Sequence, residues 1–119
     1  MQREVTLGMI EGRFAEIIWN RAPISSSELV KIAAKEMNWK RTTTHTVIKK
    51  LCDKKLFQKD DKGMVTVLVS KEDFYTGQGK HLVDVGYKGS LPLFIAGFVN
   101  RQGISQKEID EIIKMLKEM

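Results

Sequence analysis

Apolar residues recur at helical spacing from the start of the chain. Between about Leu7 and Asn20, Ile10, Phe14, Ile17 and Ile18 fall on one stripe, with Glu11, Arg13 and Glu16 outside it. That pattern predicts an amphipathic helix. Arg21, Ala22 and Pro23 end it, because the residue before a proline is pushed out of the helical region. Ser25 and Glu28 have the spacing of a capping box, in which hydroxyl and carboxylate each satisfy a free backbone amide. A second helix is expected from about Ser26 to Asn38, with Leu29, Ile32, Ala33 and Met37 on its buried face. After a short break, a third stretch from about Thr42 to Lys55 sets a narrow seam of Val47, Ile48 and Leu51 against Thr43, His45, Thr46, Lys49, Lys50 and Lys54. Thr42, Thr43, Thr44 and Thr46 crowd into this helix, although β-branched side chains lose rotamer freedom there. Residues kept at that cost are candidates for contacts outside the helix.

The period then changes to alternation. Leu56 to Lys59 and Met64 to Val69 read as strands, and Asp60-Asp61-Lys62-Gly63 supplies the turn, with Gly63 free to take a positive φ. Lys71 to Gly89 holds four glycines (Gly77, Gly79, Gly86, Gly89) and is expected to start as a helix and continue as an irregular or broken one. Ser90 can cap a new helix, with Pro92 tolerated in its first turn. Leu91, Leu93, Phe94, Ile95, Phe98 and Val99 are apolar around too much of its circumference for a lone surface helix, and Gly103 stops it. Ser105 with Glu108 opens a last helix with a stripe of Ile109, Ile112, Ile113 and Leu116. The expected fold is mainly α with a small β-hairpin wing. A winged helix-turn-helix domain occupies residues 1–70, and a helical dimerisation region occupies residues 71–119. Packing of the last helices against the winged domain is the alternative to a partner chain.

Charge sharpens this picture. The net +5 is confined to the first half: residues 1–70 hold 13 basic and 8 acidic side chains, while residues 71–119 hold 7 of each. Residues 39–62 alone hold 8 basic and 3 acidic, so the excess sits on the third helix and the hairpin. A local basic stretch suits a polyanion-binding face and also suits a solvated surface. Three helices followed by a hairpin favour the first. The apolar run from Leu91 to Val99 is too short for a bilayer, and no signal-peptide pattern follows Met1. Cys52, the single cysteine, excludes an internal disulfide framework. His81 and Asp84 are too few for a metal site. With no Ser/His/Asp grouping and no phosphate-cradling glycine loop, the expectation is a cytoplasmic non-enzyme without cofactor, metal or membrane contact.

From about Leu7 to its C-terminus the chain resembles the penicillinase and methicillin-resistance repressor family, often called BlaI/MecI/CopY. The landmarks are Ile17-Ile18-Trp19, Trp39, the Thr43-x-x-Thr46 pair, the run Leu51 to Leu56, and Tyr87-Lys88-Gly89-Ser90-Leu91. The resemblance implies a homodimer that binds a palindromic operator through the winged domain and dimerises through C-terminal helices. It also implies induction by a membrane sensor and proteolysis at an asparagine–phenylalanine bond. The matching pair here is Gly97-Phe98, so the chain departs from the family there. Paired C-terminal cysteines of the copper-responsive branch are absent from the sequence.

In a helix-turn-helix the N-terminal part of the recognition helix meets base edges while basic side chains hold the backbone. Arg41, Thr42, Thr43, His45 and Thr46 are therefore the base-edge candidates; Thr43 and Thr46 match the family's base-reading positions, and Thr42 replaces its lysine. A threonine offers a hydroxyl to polar edges and a methyl to thymine; its alternative role is bonding its own backbone, expected of Thr42 more than of Thr46. His45 is either a DNA contact or simply exposed. Lys40, Lys49, Lys50, Lys54, Lys55, Lys59 and Lys62 are phosphate candidates, the last two from the wing. Tyr87, Leu91, Phe94, Ile95, Phe98, Ile109, Ile112, Ile113 and Leu116 are the dimerisation candidates. Trp19, Trp39 and Cys52 are expected to pack within the fold. A dimer reading a palindrome would hold its recognition helices about 34 Å apart. A winged-helix protein-interaction module without DNA binding is the alternative function.

Overall fold

A computed structural model describes residues 5–119, which divide into two compact units, one through Gln78 and one from Gly79 to Met119. The first unit contains α1 (Met9–Arg21), β1 (Ile24–Ser25), α2 (Ser26–Glu36), α3 (Arg41–Asp53), β2 (Phe57–Lys59), β3 (Met64–Val67) and the start of α4 (Lys71–Gly86). This is the mainly helical winged architecture that the periodicity predicts. The division falls inside α4, whereas the sequence pattern sets it after residue 70.

Helix spacing builds the core. Phe14, Ala15 and Ile18 of α1, Leu29 and Ala33 of α2, and Ile48 and Leu51 of α3 converge with Leu56, Phe57, Val65 and Phe74. Both tryptophans pack on this core: Phe14 lies 5.0 Å from Trp39, and Trp19 lies 5.3 Å from Phe57 and 6.0 Å from Phe74, measured between ring centres. Helices α2 and α3 end at Glu36 and Asp53, each two residues short of the expected end. Asn38 and Lys55 take positive φ angles of 56° and 65°, the left-handed turn that commonly closes a helix. Only half of the Ser25 capping box forms: Ser25 Oγ accepts the Glu28 N–H at 3.1 Å, while the Glu28 carboxylate faces Lys31 at 3.9 Å.

The wing is a three-stranded antiparallel sheet in the order β1-β3-β2, not a hairpin alone. Ile24 and Ser25 pair with Val65 and Met64 on the outer side of β3, a strand too short to leave an alternating signature. Opposite it, Phe57 pairs with Val67 and Lys59 with Val65. Asp60 Oδ1 accepts the N–H groups of Lys62 and Met64, both at 2.9 Å. Gly63 stands at φ +83° and its carbonyl accepts the Ser26 N–H at 2.8 Å. A Cβ there would come within 3.0 Å of Ser26 Oγ.

Helix α4 is continuous from Lys71 to Gly86, which corrects the expectation of a broken segment. Ser70 Oγ accepts the Asp73 N–H at 3.0 Å, Glu72 and Asp73 stand in the first turn, and Phe74 is anchored in the core. These outweigh a propensity cost of about 1 kcal/mol per interior glycine. In the second unit, Lys88 and Gly89 turn the chain at positive φ, and Ser90 caps α5 (Leu91–Gln102) by accepting the Leu93 N–H at 3.2 Å. Gly103 ends α5 at φ 78°, and α6 (Gln106–Lys117) follows, capped by Ser105. The Glu108 carboxylate accepts from the Ser105 hydroxyl at 3.2 Å instead of from a backbone amide.

Opposite effects are expected at two kinds of glycine. Gly63→Ala should lower stability by about 1–2 kcal/mol through the left-handed backbone. Gly77→Ala or Gly79→Ala, with open space at each Cβ, should raise it by about 0.5–1 kcal/mol. Thermal melts of the three variants check both signs.

Candidate nucleic-acid interface

Helix α3 sorts its side chains by angle. Thr44, Ile48 and Leu51 are buried, and Val47 packs beside them. On the far side Thr42, Thr43, Thr46, Lys49 and Lys50 are exposed and, at 3.6 residues per turn, share an arc of about 120°. Arg41 is exposed and His45 half-buried on one flank of that arc, near the start of the helix. Lys40 is the exposed residue at its N-cap. Lys59 and Lys62 are exposed in the wing, at the end of β2 and in the turn.

The threonines do not act alike. Thr44 is fully buried, and its hydroxyl donates to the Lys40 carbonyl at 3.3 Å. Thr46, expected to bond its own backbone less than Thr42, is the one that does so, donating to the Thr42 carbonyl at 2.9 Å. That bond commits its proton but leaves the oxygen's lone pairs as acceptors on an exposed residue. Among the described residues, neither the Thr42 nor the Thr43 hydroxyl makes an intrahelical bond of its own.

Lysines differ as sharply. Lys49 stands 3.6 Å from Asp53, with both side chains largely exposed, and such a pair holds it weakly. Lys54, expected on phosphate, is engaged within the protein: its ammonium lies 2.8 Å from the Thr6 carbonyl and 3.0 Å from each carboxylate oxygen of Glu11. Sequence pattern could not show this, because the partners are 43 residues apart and Glu11 reads only as a polar position outside the α1 stripe. At the other end of α1, Trp19 Nε1 donates to the Val69 carbonyl at 2.9 Å, and Glu16 meets Lys71 at 2.6 Å.

Three titratable groups among the described residues respond to these surroundings, Glu16 being lowered chiefly by its hydrogen bond to Lys71. Burial pushes the Glu11 carboxyl upward, but the Lys54 hydrogen bonds, the Gly8 N–H and the charges of Lys54 and Lys50 together hold it below its ordinary range. Burial raises the Cys52 thiol, with Asp53 adding and Lys59 opposing. A half-buried thiol of that kind stays protonated, consistent with a packing role. In the second unit Asp84, paired with His81 in the sequence reading, takes the Lys80 ammonium at 2.9 Å.

The dimerisation candidates lie on α5, α6 and the turn before them. Neither α5 nor α6 buries a single residue. Leu91, Ile95, Phe98, Ile112, Ile113 and Leu116 are all about half exposed or more, whereas Tyr87, Phe94 and Ile109 are half-buried. Tyr87 meets Phe94 edge-on at 5.3 Å, and the Gly97 position faces the Tyr87 ring. No single helix among the described residues is long and apolar enough to cross a membrane.

Comparison with known proteins identifies the family. The family described as penicillinase repressor matches residues 7–118. The methicillin resistance regulatory protein MecI of Staphylococcus aureus is 28% identical over 109 residues, covering 89% of each chain. A penicillinase repressor of Bacillus licheniformis is 24% identical over 106 residues, covering 87% of this chain and 83% of its own. Another, from Staphylococcus aureus, is 21% identical over 120 residues, covering 98% and 95%.

The lowered Glu11 carboxyl fixes a sign. A carboxylate whose folded value lies below its unfolded one stabilises the fold above the ordinary range and loses that contribution as pH falls through the folded value. The melting temperature should therefore drop on acidification below the ordinary carboxylate range. Glu11→Gln should flatten part of that drop, Glu16 beside Lys71 supplying another part. Melts over a pH series read both.

Proposed function

Because this chain belongs to the penicillinase repressor family, we propose that it is a sequence-specific DNA-binding transcriptional repressor acting as a homodimer on a palindromic operator. The observation that carries this reading is the exposed arc of α3, where Thr42, Thr43 and Thr46 stand beside Lys49 and Lys50. In this reading the arc enters the major groove. Thr43 and Thr46 meet base edges, with Arg41, Thr42 and His45 at the leading end, while Lys49 and Lys50 meet phosphates. Lys40, Lys55, Lys59 and Lys62 add phosphate contacts from the flanks and the wing. No chemistry is required of the protein beyond binding, so it works in the cytoplasm as a non-enzymatic regulator without a cofactor.

A homodimer accounts for the apolar surface of α5 and α6. Leu91, Ile95, Phe98, Ile112, Ile113 and Leu116 would lose contact with water against the same residues of a second copy, with Tyr87, Phe94 and Ile109 completing the patch. Removing apolar area at about 25 cal/mol per Å² makes such a surface costly to leave bare. The pairing would carry two copies of α3 to successive turns of one duplex face, about 34 Å apart.

Fluorescence anisotropy with random duplex at several salt concentrations, followed by sequencing of the selected fraction, tests the reading. An inverted repeat is expected, with the protein sedimenting as a dimer. Thr46→Ala should cost about 1–3 kcal/mol on the selected site. Lys49→Ala should reduce the log–log salt slope by about 0.9 per subunit. Absence of binding at low salt would leave a winged-helix protein-interaction module in its place.

A further inference from the structure

We infer that Lys54 and Glu11 form a bracket that positions α3 for the duplex without touching it, an inference that rests on the DNA-binding reading above. An ammonium has three donors. Here the three meet the Thr6 carbonyl at 2.8 Å and the two Glu11 oxygens at 3.0 Å each. None is left for a phosphate. Both side chains are largely withdrawn from water, 29% and 28% exposed, against 78% for Lys49. Charge-assisted bonds in such a setting hold more firmly than exposed pairs do.

The bracket gathers three pieces of backbone. Lys54 is the C-cap of α3, and Lys55, at φ 65°, turns the chain sharply away from the helix. Glu11 lies in the first turn of α1 and accepts the Gly8 N–H at 3.4 Å. Thr6 belongs to the segment before α1, whose Val5 carbonyl is held in turn by the Gln78 side-chain amide. One cation thus ties the end of α3 to the beginning of α1 and to the strand of chain leading into it.

Leverage gives the tie its effect. Thr42 lies near the opposite end of α3, and at 1.5 Å per residue it stands roughly 18 Å from the bracket. A pivot of about 10° at Lys54 would carry Thr42 by about 3 Å along such a length. Hydrogen bonds to base edges tolerate only a few tenths of an ångström around 2.7–3.2 Å, as is general for N–H···O geometry. Lys54 and Glu11 are accordingly positioning residues: they act on base reading through the placement of Thr42, Thr43 and Thr46.

The test uses the full chain, the duplex recovered by selection, and random duplex, at temperatures where circular dichroism shows each variant folded. Glu11→Gln and Lys54→Met are each expected to weaken binding to the selected duplex about tenfold, a change of about 1.4 kcal/mol. Random-duplex affinity and the salt slope of Glu11→Gln should stay close to those of the unmodified protein. The double variant should lose no more than either single one, as for two residues sharing one interaction, and Lys54→Arg should retain most of the affinity. A phosphate contact would behave otherwise: Lys54→Met would shrink the salt slope by about 0.9 per subunit, and Glu11→Gln would leave binding unchanged or tighter. Either of those results overturns the bracket while leaving DNA binding intact. Should Lys54→Met not fold, Glu11→Gln decides alone, because only the bracket predicts that it weakens binding to the selected duplex. If the unmodified protein binds no duplex, the DNA-binding reading itself fails and the bracket with it.

Discussion

The N-terminal unit takes its geometry from α1. Phe14, Ala15 and Ile18 have no exposed surface, so the helix cannot shift without opening the core that α2, α3 and the sheet share. Close packing makes that core stiff: voids and overpacking both cost energy, and a helix seated in it has one position. To this fixed body the parts that reach outward are attached at both ends. The first turn holds the end of α3 through Lys54, and the second half of the helix holds the chain leaving the wing through Glu16 and Trp19. Helix and wing are therefore registered to the same element and so to each other. The Ser26 N–H on the Gly63 carbonyl adds a direct link between the wing turn and the start of α2.

Much of this was legible in the chain because it depends on local repetition. A stripe at 3.6 residues, a serine before a helix, and a glycine after two aspartates and a lysine are short-range patterns with short-range causes. The elements α1 to α3, the wing turn at Gly63, and the caps at Ser25, Ser90 and Ser105 follow from them. What escaped depends on distance or on compensation. Strand β1 has two residues and exists only because β3 lies beside it. Helix α4 survives Gly77 and Gly79 because a cap and a buried Phe74 hold its first turns, and composition alone overstates the weakness of those glycines.

The candidate interface was legible to a similar depth. The basic excess of residues 39–62 falls on α3, on the wing and on the segments that flank them. Chemistry type could not assign each member of it, since a threonine in this helix can serve the core, its own backbone or the outside. Thr44 serves the first and Thr46 partly the second, while Thr42 and Thr43 remain open. Lysines divide the same way: Lys49 faces solvent and Lys54 faces Glu11. In each case the choice is made by angle around α3, which a sequence encodes, and by what stands opposite, which it does not.

One detail of the Lys54 contact limits how this family member can drift. Its third donor goes to the Thr6 carbonyl, a backbone atom that every amino acid supplies. Position 6 can therefore change its side chain without disturbing the contact. Positions 11 and 54 lack that liberty: an exchange at one strands a charge at the other, so an acceptable replacement at either site depends on what its counterpart has become.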